Sequence, residues 1–187
     1  RTNGSTGACH TGEKVRVSRA ALHMWEEPCI SGENGSGAVF FSGCALGCCF
    51  CQNKDISRGR AGKEISIERL CNIFFELMDK GANNCSGYET ADMILMLDGY
   101  IDVYLPDFKF MSPEIASRYC NTPDYASYAK QSIAEMVRQC GGAKTNFNQY
   151  GIMQKGVIVR HLQLPGHIAD SKSVITYLYN TYGDDIY

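Results

Sequence analysis

The chain contains 187 residues, 44% of them hydrophobic and 20% charged, which is ordinary for one globular domain with a sizeable core. Its formal net charge of −2 gives no sign of binding to nucleic acid or to an anionic membrane. No apolar run approaches the ~20 residues that span a bilayer, and no signal peptide is recognisable. The sequence begins at Arg1, which is consistent with an absent upstream piece.

Ten cysteines are present, and their distribution argues against a secreted disulfide framework. Cys71 lies in the middle of a segment with helical periodicity. Four other cysteines crowd residues 44–51, too closely for separate bridges. A reducing cytoplasm, where thiolates remain available to bind iron, fits this distribution better, so we expect a cytoplasmic protein.

The first elements predicted along the chain are a leader and a strand. Residues 1–14 are polar and glycine-rich and carry Cys9 and His10 close together. We interpret this segment as a mobile leader in preference to half of an auxiliary metal site. Residues 38–41 form a short apolar run that is typical of a buried strand.

Two helices are predicted next. Residues 65–80 have helical periodicity, with Ser66 as a suitable N-cap and Gly81 as a suitable stop. Residues 90–98 are consistent with a second helix that ends at the following glycine. One face of the first helix carries the apolar side chains Ile67, Leu70, Ile73, Phe74, Leu77 and Met78.

The second half of the chain repeats the alternation of strand and helix. Residues 101–105 alternate as a strand, and residues 112–114 and 122–124 are both cap-then-proline helix starts. We expect the second of these helices to reach Cys140. A connection to residue 151 then leads to the strongest later strand, residues 157–164. Asp170 is expected to cap a last helix to about Tyr182, and residues 184–187 to begin another strand.

This alternation predicts an α/β fold with a parallel sheet. We expect an N-terminal segment over residues 1–37 and a core domain over residues 38–187. In parallel sheets, functional residues gather at the carboxyl ends of the strands. Residues 44–51, 107–109 and 161–166 all lie at or near such ends, which predicts a single site.

The densest chemical signal is a group of four cysteines within eight residues, Cys44, Cys48, Cys49 and Cys51. Cys44, Cys48 and Cys51 have the spacing C-x3-C-x2-C. Three thiolates on a tight loop can hold three irons of a [4Fe-4S] cube and leave the fourth iron open for a ligand. We interpret Cys49 as a packed thiol.

Two alternatives to the cluster remain. The cysteines can be part of a zinc site, or they can be small buried apolar side chains. Zinc sites usually show paired C-x2-C half-sites separated by a dozen or more residues, and no second pair closes this one. Four crowded cysteines in a loop are also poor core material.

The wider sequence resembles the radical S-adenosylmethionine (SAM) enzymes, and within them the activating enzymes of pyruvate formate-lyase. The resemblance is carried by GSGAVFFSGCALGCCFCQNKDIS over residues 35–57, YIDVYLPDFKF over residues 100–110 and GVIVRHLQLPG over residues 156–166. It covers the chain from about residue 15 to the end. It implies a partial parallel (β/α) barrel, here incomplete.

The resemblance also implies cofactors and partners. In such enzymes SAM binds the open iron through its amino and carboxylate groups, and the reduced cluster splits it into methionine and a 5′-deoxyadenosyl radical. Activating enzymes then take a hydrogen atom from a glycine of a partner, so a glycyl-radical enzyme is the implied partner. Flavodoxin or ferredoxin is the implied electron donor.

Individual residues can be matched to this family. Cys44, Cys48 and Cys51 match the cluster ligands. Asp107 and Lys109 match a D-x-K pair at a strand end that contacts SAM, and Asn53 and Arg160 are further candidate SAM contacts. A lysine ammonium is a compact donor to a carboxylate. A solvated salt bridge between Asp107 and Lys109, and a structural role for Arg160, remain the alternatives.

One departure from the family lies near residues 84–85. Relatives have a βα unit and a strand between the pieces that match residues 81–84 and 85–89, and a βαβ unit takes ~30 residues. The chain is therefore expected to be internally shortened there and to stop before the final barrel strand is complete. A degenerate iron–sulfur module without SAM chemistry, or a zinc-binding protein, is the alternative function.

Overall fold

The computed structural model describes residues 9–24, 26–33, 35–58, 61–80, 91–141 and 146–187, without the side chain of Met93. These residues fall into two compact units. The first unit comprises Arg1–Glu27, Ser31–Asn83 and Tyr119–Asn121, and the second comprises Pro28–Ile30, Asn84–Arg118 and Thr122–Tyr187. Among the helices in the described ranges, none is both long and apolar enough to cross a membrane.

The first unit is built on an antiparallel sheet of three strands in the order β2-β1-β3. The strands are β1 (Val15–His23), β2 (Ser36–Phe41) and β3 (Lys63–Ile65). A helical turn, α1 (Pro28–Ser31), lies between β1 and β2, and the two strands run antiparallel, so the chain reverses between them. The predicted strand at residues 38–41 is thus confirmed, but its described partner is antiparallel where we expected a parallel neighbour.

The boundary expected between residues 37 and 38 falls inside β2. This strand is also less buried than its sequence predicts, since Phe41 at its end is 42% exposed. After the cysteine loop, a four-residue helix α2 (Lys54–Ser57) leads toward β3.

The predicted helix after β3 is confirmed as α3 (Ile67–Met78), which places Cys71 in mid-helix. Ser66 caps it, its hydroxyl accepting a hydrogen bond from the Arg69 N–H at 3.1 Å. Ile73 and Leu77 are buried against Leu22, Val39 and Ile65. The prediction that the whole apolar face of this helix is buried is wrong in part, since Ile67 is 64% and Met78 61% exposed. A three-stranded sheet covers only a narrow stripe of the helix surface. Gly81, the expected stop, lies outside the described residues.

The second unit contains a second three-stranded sheet in the order β4-β6-β5. β4 (Val103–Tyr104) pairs in parallel with β6 (Met153–Val157), and β5 (Asn146–Phe147) pairs with β6 in the antiparallel sense. Four helices complete this unit: α4 (Ala91–Leu95), α5 (Pro113–Cys120), α6 (Tyr125–Cys140) and α7 (Ile168–Tyr182). The last two residues of α5, Tyr119 and Cys120, belong to the first unit. The predicted crossover between parallel strands is confirmed for β4 and β6.

Both sides of this sheet are covered by apolar side chains. One buried cluster contains Ile30, Val103, Leu105, Met153 and Ile158. The other contains Ile94, Tyr104, Met136, Cys140 and Val157. Because successive side chains of a strand point to opposite faces, Val103 and Tyr104 belong to different clusters.

The helix starts in this unit are largely those that the sequence predicts. The Ser112 hydroxyl accepts a hydrogen bond from the Ile115 N–H at 3.2 Å at the start of α5, and α6 ends at Cys140 as expected. The prediction for Asp170 is wrong, because His167 occupies the N-cap position of α7. The Asp170 carboxylate instead accepts hydrogen bonds from the backbone N–H groups of Met111 and Ser112.

The two last predicted strands are corrected. The strand expected over residues 157–164 lies earlier, at β6, and beyond it the ladder continues only as single bonds such as Arg160 N–H to Pro106 O at 2.9 Å. Residues 184–187 are not a regular strand, since a 3-10 helix covers Gly183–Asp185. Tyr187 nevertheless exchanges backbone hydrogen bonds with Val157 and Val159 at 2.8 Å.

In the ranges that the structure describes, the protein is thus a mixed α/β chain with two small sheets, neither of which closes into a barrel. The partial parallel barrel that the family resemblance implies stays a prediction.

Candidate functional site

The cysteine loop, residues 44–51, begins directly after a glycine that its neighbours hold in place. Gly43 has a φ of +87°, and a Cβ atom there would lie 2.4 Å from the carbonyl oxygen of Cys9 and 2.5 Å from Cγ2 of Thr11. Its N–H donates to the carbonyl oxygen of Ile56 at 3.1 Å. Only glycine satisfies both the backbone angle and the space, so the entry to the loop is fixed.

This packing corrects the interpretation of Cys9. The expected mobile leader does not extend to this residue, which is 8% exposed and whose Sγ lies 2.8 Å from Oγ1 of Thr11. Residues 1–8 lie outside the described residues. Cys9 therefore supports the entry to the cysteine loop through its backbone.

The middle of the loop is held by backbone hydrogen bonds to the end of α5. The N–H of Gly47 donates to the carbonyl oxygen of Cys120 at 3.3 Å, and the N–H of Cys49 donates to that of Tyr119 at 3.0 Å. These two bonds lie on either side of Cys48 in the sequence. They fix the position of its backbone.

Arg58 holds the same stretch from another side. Its guanidinium donates to the carbonyl oxygen of Gly47 at 2.8 Å and to that of Cys48 at 2.9 Å. The arginine thus places a permanent positive charge beside the loop. Such a charge offsets the mutual repulsion of thiolates gathered nearby.

The sulfur atoms of the loop have different surroundings. Cys48 is 7% exposed, and its Sγ lies 3.0 Å from the Sγ of Cys120. The Sγ of Cys51 lies 3.3 Å from the hydroxyl of Ser57, and Cys44 is half-buried. Cys49 is exposed, so its interpretation as a packed thiol is wrong. All nine cysteines in the described ranges are thiols.

Within the described residues, no three His, Cys, Asp or Glu side chains are grouped closely enough to hold a metal ion. A zinc ion needs all its sulfur ligands ~2.3 Å from one point, so the thiols as they stand do not form such a site. A cube takes one sulfur on each of three irons, and its ligands do not converge on one atom. The donor set, three thiols on one fixed loop, therefore fits an iron–sulfur cluster by its chemistry.

A cavity of about 330 Å³ lies beside the loop in the first unit. Its lining includes His10, Cys44, Ser57, Arg58, Cys120 and Asn121. Two thiols and a guanidinium thus border one space. The cavity also gives small molecules a route to this side of the loop.

The second unit brings together three of the predicted SAM contacts, Asp107, Lys109 and Arg160. The Lys109 ammonium donates to Oδ2 of Asp107, and Nε of Arg160 lies 3.2 Å from Oδ1. The main chains also meet in a parallel bridge, in which the N–H of Phe108 donates to the carbonyl oxygen of Arg160 at 2.8 Å. One carboxylate is shared by two cations, so the group has a net positive charge and suits an anionic ligand.

Tyr125 holds the backbone of Asp107 and Lys109 in place. Its side chain is fully buried, and its hydroxyl donates to the carbonyl oxygen of Asp107 at 2.7 Å while accepting from the N–H of Lys109 at 3.0 Å. The rings of Phe108 and Phe110 pack against the tyrosine ring. The backbone of the Asp-x-Lys segment is therefore rigid, while the Asp107 side chain remains 40% exposed to a ligand.

Two further predicted residues, Asn53 and His161, are held by hydrogen bonds within their own units. Asn53, in the first unit, occupies the N-cap position of α2, where its carbonyl oxygen accepts from the N–H groups of Ile56 and Ser57. His161 is fixed in the second unit, with Nδ1 2.7 Å from the carbonyl oxygen of Phe108 and Nε2 2.8 Å from the hydroxyl of Ser171. His161 therefore has a structural role.

Two residues of the loop's surroundings were missed. Arg58 follows the cysteine motif closely, and its charge is a signal that sequence reasoning can use. Cys120 lies 72 positions from Cys48 at the end of a helix, and no local pattern links the two thiols. Their contact arises only from the tertiary structure.

No family model matches the chain. The chain is similar to an uncharacterised protein of Methanocaldococcus jannaschii, with 26% identity over 199 aligned positions. The match covers 87% of this chain and 53% of the relative, so the chain spans about half the length of the relative it matches. Because 87% of 187 residues is about 163, about 36 of the 199 positions have no counterpart in this chain.

Proposed function

We propose that this chain binds a [4Fe-4S] cluster through Cys44, Cys48 and Cys51 and acts as a radical SAM enzyme. The observation that carries the proposal is the C-x3-C-x2-C spacing on a loop whose backbone is held at Gly43, at Gly47 and at Cys49. A fixed loop with three thiols reduces the conformational entropy that cluster binding has to overcome.

When bound, the cluster supplies the electron that cleaves SAM to methionine and a 5′-deoxyadenosyl radical. The protein's own part is to hold three thiolates and to balance their charge. Arg58 provides a positive charge that hydrogen-bonds to the loop carbonyls rather than to the sulfurs. It therefore stabilises the thiolate-bearing loop without occupying a ligand atom.

The second part of the proposal concerns the amino-acid end of SAM. Lys109 and Arg160 offer donors to its carboxylate, and Asp107 offers an acceptor to its amino group. Asn53 is proposed as a further polar contact. The rigid backbone under Lys109 favours binding, because little order has to be gained when the ligand arrives.

A substrate and a compartment complete the proposal. We propose a glycyl-radical enzyme as the partner from which hydrogen is taken, with flavodoxin or ferredoxin as the electron donor. We propose a reducing cytoplasm as its location, since all described cysteines are thiols and three of them are needed as thiolates.

The test is SAM cleavage by the reconstituted, chemically reduced protein without oxygen. The proposal predicts 5′-deoxyadenosine from the wild type and from the control variant Cys49→Ala. Cys49 is exposed and follows Cys48 directly in the sequence. The proposal predicts none from Cys48→Ala. A product that survives in Cys48→Ala would show that the assigned ligand is wrong.

A degenerate iron–sulfur module is the second candidate. It is favoured by the sequence between the helices predicted over residues 65–80 and 90–98, which is too short for the βα unit expected there. This candidate predicts that SAM leaves the EPR spectrum of the reduced cluster unchanged, whereas an enzyme shows a clear shift.

A zinc-binding protein is the remaining alternative. It predicts stoichiometric zinc and no iron in protein that has been purified without oxygen. Within the part of the chain that the structure describes, no three His, Cys, Asp or Glu side chains are grouped closely enough to hold a metal ion.

A further inference from the structure

We propose that Cys48 and Cys120 form a site of reversible oxidation, in which a peroxide joins them in a disulfide and so withdraws Cys48 from metal binding. The two sulfur atoms lie 3.0 Å apart, although the residues are 72 positions apart in the sequence. No activity assigned to the loop uses Cys120. Its contact with a proposed cluster ligand therefore calls for a chemistry of its own.

The geometry places this pair within reach of a disulfide bond. A disulfide bond is ~2.05 Å long, so the sulfurs need to approach by only about 1 Å. The flanking hydrogen bonds, Gly47 N–H to Cys120 O and Cys49 N–H to Tyr119 O, hold both main chains in place. The bond then has to close through movement of the two side chains.

Access for the oxidant comes from the cavity beside the loop. Cys120 is only 1% exposed but is among the residues that line this space of about 330 Å³. Hydrogen peroxide is small enough to enter it.

The chemistry balances in two steps. One thiol attacks a peroxide oxygen, the O–O bond breaks, and a sulfenic acid and one water form. The other thiol then attacks the sulfenic sulfur, the S–O bond breaks, and a second water leaves with the disulfide. Two thiols are oxidised by two electrons in total, and one peroxide is reduced to two waters.

The consequence for metal binding rests on the proposed function. A disulfide sulfur carries no thiolate and does not ligate iron. Oxidation would therefore leave only Cys44 and Cys51 of the three proposed ligands. A thiol reductant would restore Cys48 by exchange.

The experiment uses the full chain without metal, reduced and then treated with one equivalent of hydrogen peroxide. After alkylation and trypsin digestion, residues 119–130 form a peptide whose single cysteine is Cys120, while Cys48 lies in the peptide of residues 20–54. We expect these peptides cross-linked, with Cys48 identified by fragmentation. The cross-link should persist in Cys49→Ala and disappear in Cys120→Ala.

Two outcomes overturn the proposal. One is peroxide consumption without a cross-link to residues 119–130, and the other is a cross-link from that peptide to Cys44, Cys49 or Cys51. Both are read on wild-type protein, so they do not depend on the folding of a variant.

Iron uptake by the cross-linked protein tests whether the disulfide withdraws Cys48 from metal binding. We expect about tenfold less iron than in reduced protein, with recovery after dithiothreitol. Unchanged uptake by fully cross-linked protein would overturn the withdrawal of Cys48. If the reduced protein takes up no iron, the proposed function fails, and the cross-link still decides the oxidation site.

Discussion

The two regions that carry the predicted site residues differ in how far they assemble without a ligand. In the second unit, Asp107, Lys109 and Arg160 already contact one another over a buried tyrosine hydroxyl. In the first unit, the backbone of the cysteine loop is held at several points, yet its sulfurs do not form a group that could hold a metal ion. In the second unit the side chains of the predicted site already contact one another, whereas in the first unit only the main chain of the cysteine loop is held in place.

The difference follows from the chemistry of the groups. Opposite charges attract one another, so an ion group assembles as the protein folds. Thiols have little mutual attraction, and thiolates repel, so the energy that draws them together has to come from the metal. Folding supplies a fixed loop, and the cluster is expected to supply the final positions of the sulfurs.

Replacing a proposed ligand should give the largest effect. Cys44→Ala, Cys48→Ala and Cys51→Ala are each expected to lower iron from about four atoms per chain to less than about one, because a cube with two protein ligands is poorly held. Cys49→Ala is the matched control and should retain its iron. Iron and sulfide analysis after anaerobic reconstitution measures this. Equal loss in all four variants would contradict a specific role for the three.

Replacing Gly43, the glycine before the cysteine loop, should have the next largest effect, on the free energy of unfolding. Gly43→Ala is expected to cost about 3 kcal/mol, from a strained positive φ and from contact with the carbonyl oxygen of Cys9. Gly99→Ala is the matched control, since its φ of +83° is similar but nothing lies within 4 Å of the added methyl group. It should cost about 1 kcal/mol.

Thermal unfolding of the two glycine variants measures this difference. Equal shifts would mean that the close packing against Cys9 contributes nothing beyond the backbone angle.

Removing a charge in the second unit should have a moderate effect on the affinity for SAM. Lys109→Met is expected to weaken SAM binding about tenfold, the loss of one charge-assisted hydrogen bond to a carboxylate. Lys172→Met makes the same change at an exposed position of α7 and should leave the affinity unchanged. Anaerobic calorimetric titration of the reconstituted protein is suitable. Equal affinities in the two variants would place the carboxylate elsewhere.

The smallest effect concerns another preassembled ion group of the second unit. Hydrogen bonds from Arg138 and then from Gln139 lower the pKa of Glu135 from 4.5 to about 2. Because the pKa is lower in the folded state, this stabilisation is present above pH 4.5 and is lost as the pH falls toward 2.

The matched variant is Glu135→Gln. Its unfolding temperature should lie slightly below that of the wild type above pH 4.5, and the two should converge near pH 2. A difference that does not change over this range would show that the ion group adds nothing to stability.

Sequence reasoning was most successful where local signals are strong. Helices α3, α5, α6 and α7 have periodic apolar residues or proline starts, and their bounds were predicted within a few residues. The strand β1 was missed, because its sequence VRVSRAALH alternates apolar and polar residues only over the first four positions. The observed strand β6 lies earlier than the predicted strand over residues 157–164, because the bounds of a strand depend on the strands that pair with it and not only on its apolar run.

The candidate site shows the same limit. The spacing of Cys44, Cys48 and Cys51 is local and readable, as is the Asp-x-Lys segment. Arg160 was predicted as a SAM contact, but its contact with Asp107 was not predicted. Cys120 carries no local signal, because a contact across 72 positions is created by folding alone.

The most direct test of the account is the metal content of the wild-type chain, together with its EPR spectrum after reduction. Protein reconstituted without oxygen should contain about four irons and four sulfides and give the spectrum of a reduced [4Fe-4S] cluster. Stoichiometric zinc without iron, or an undiminished cluster in a chain that lacks Cys44, Cys48 and Cys51, would contradict the claim that these three thiols hold it.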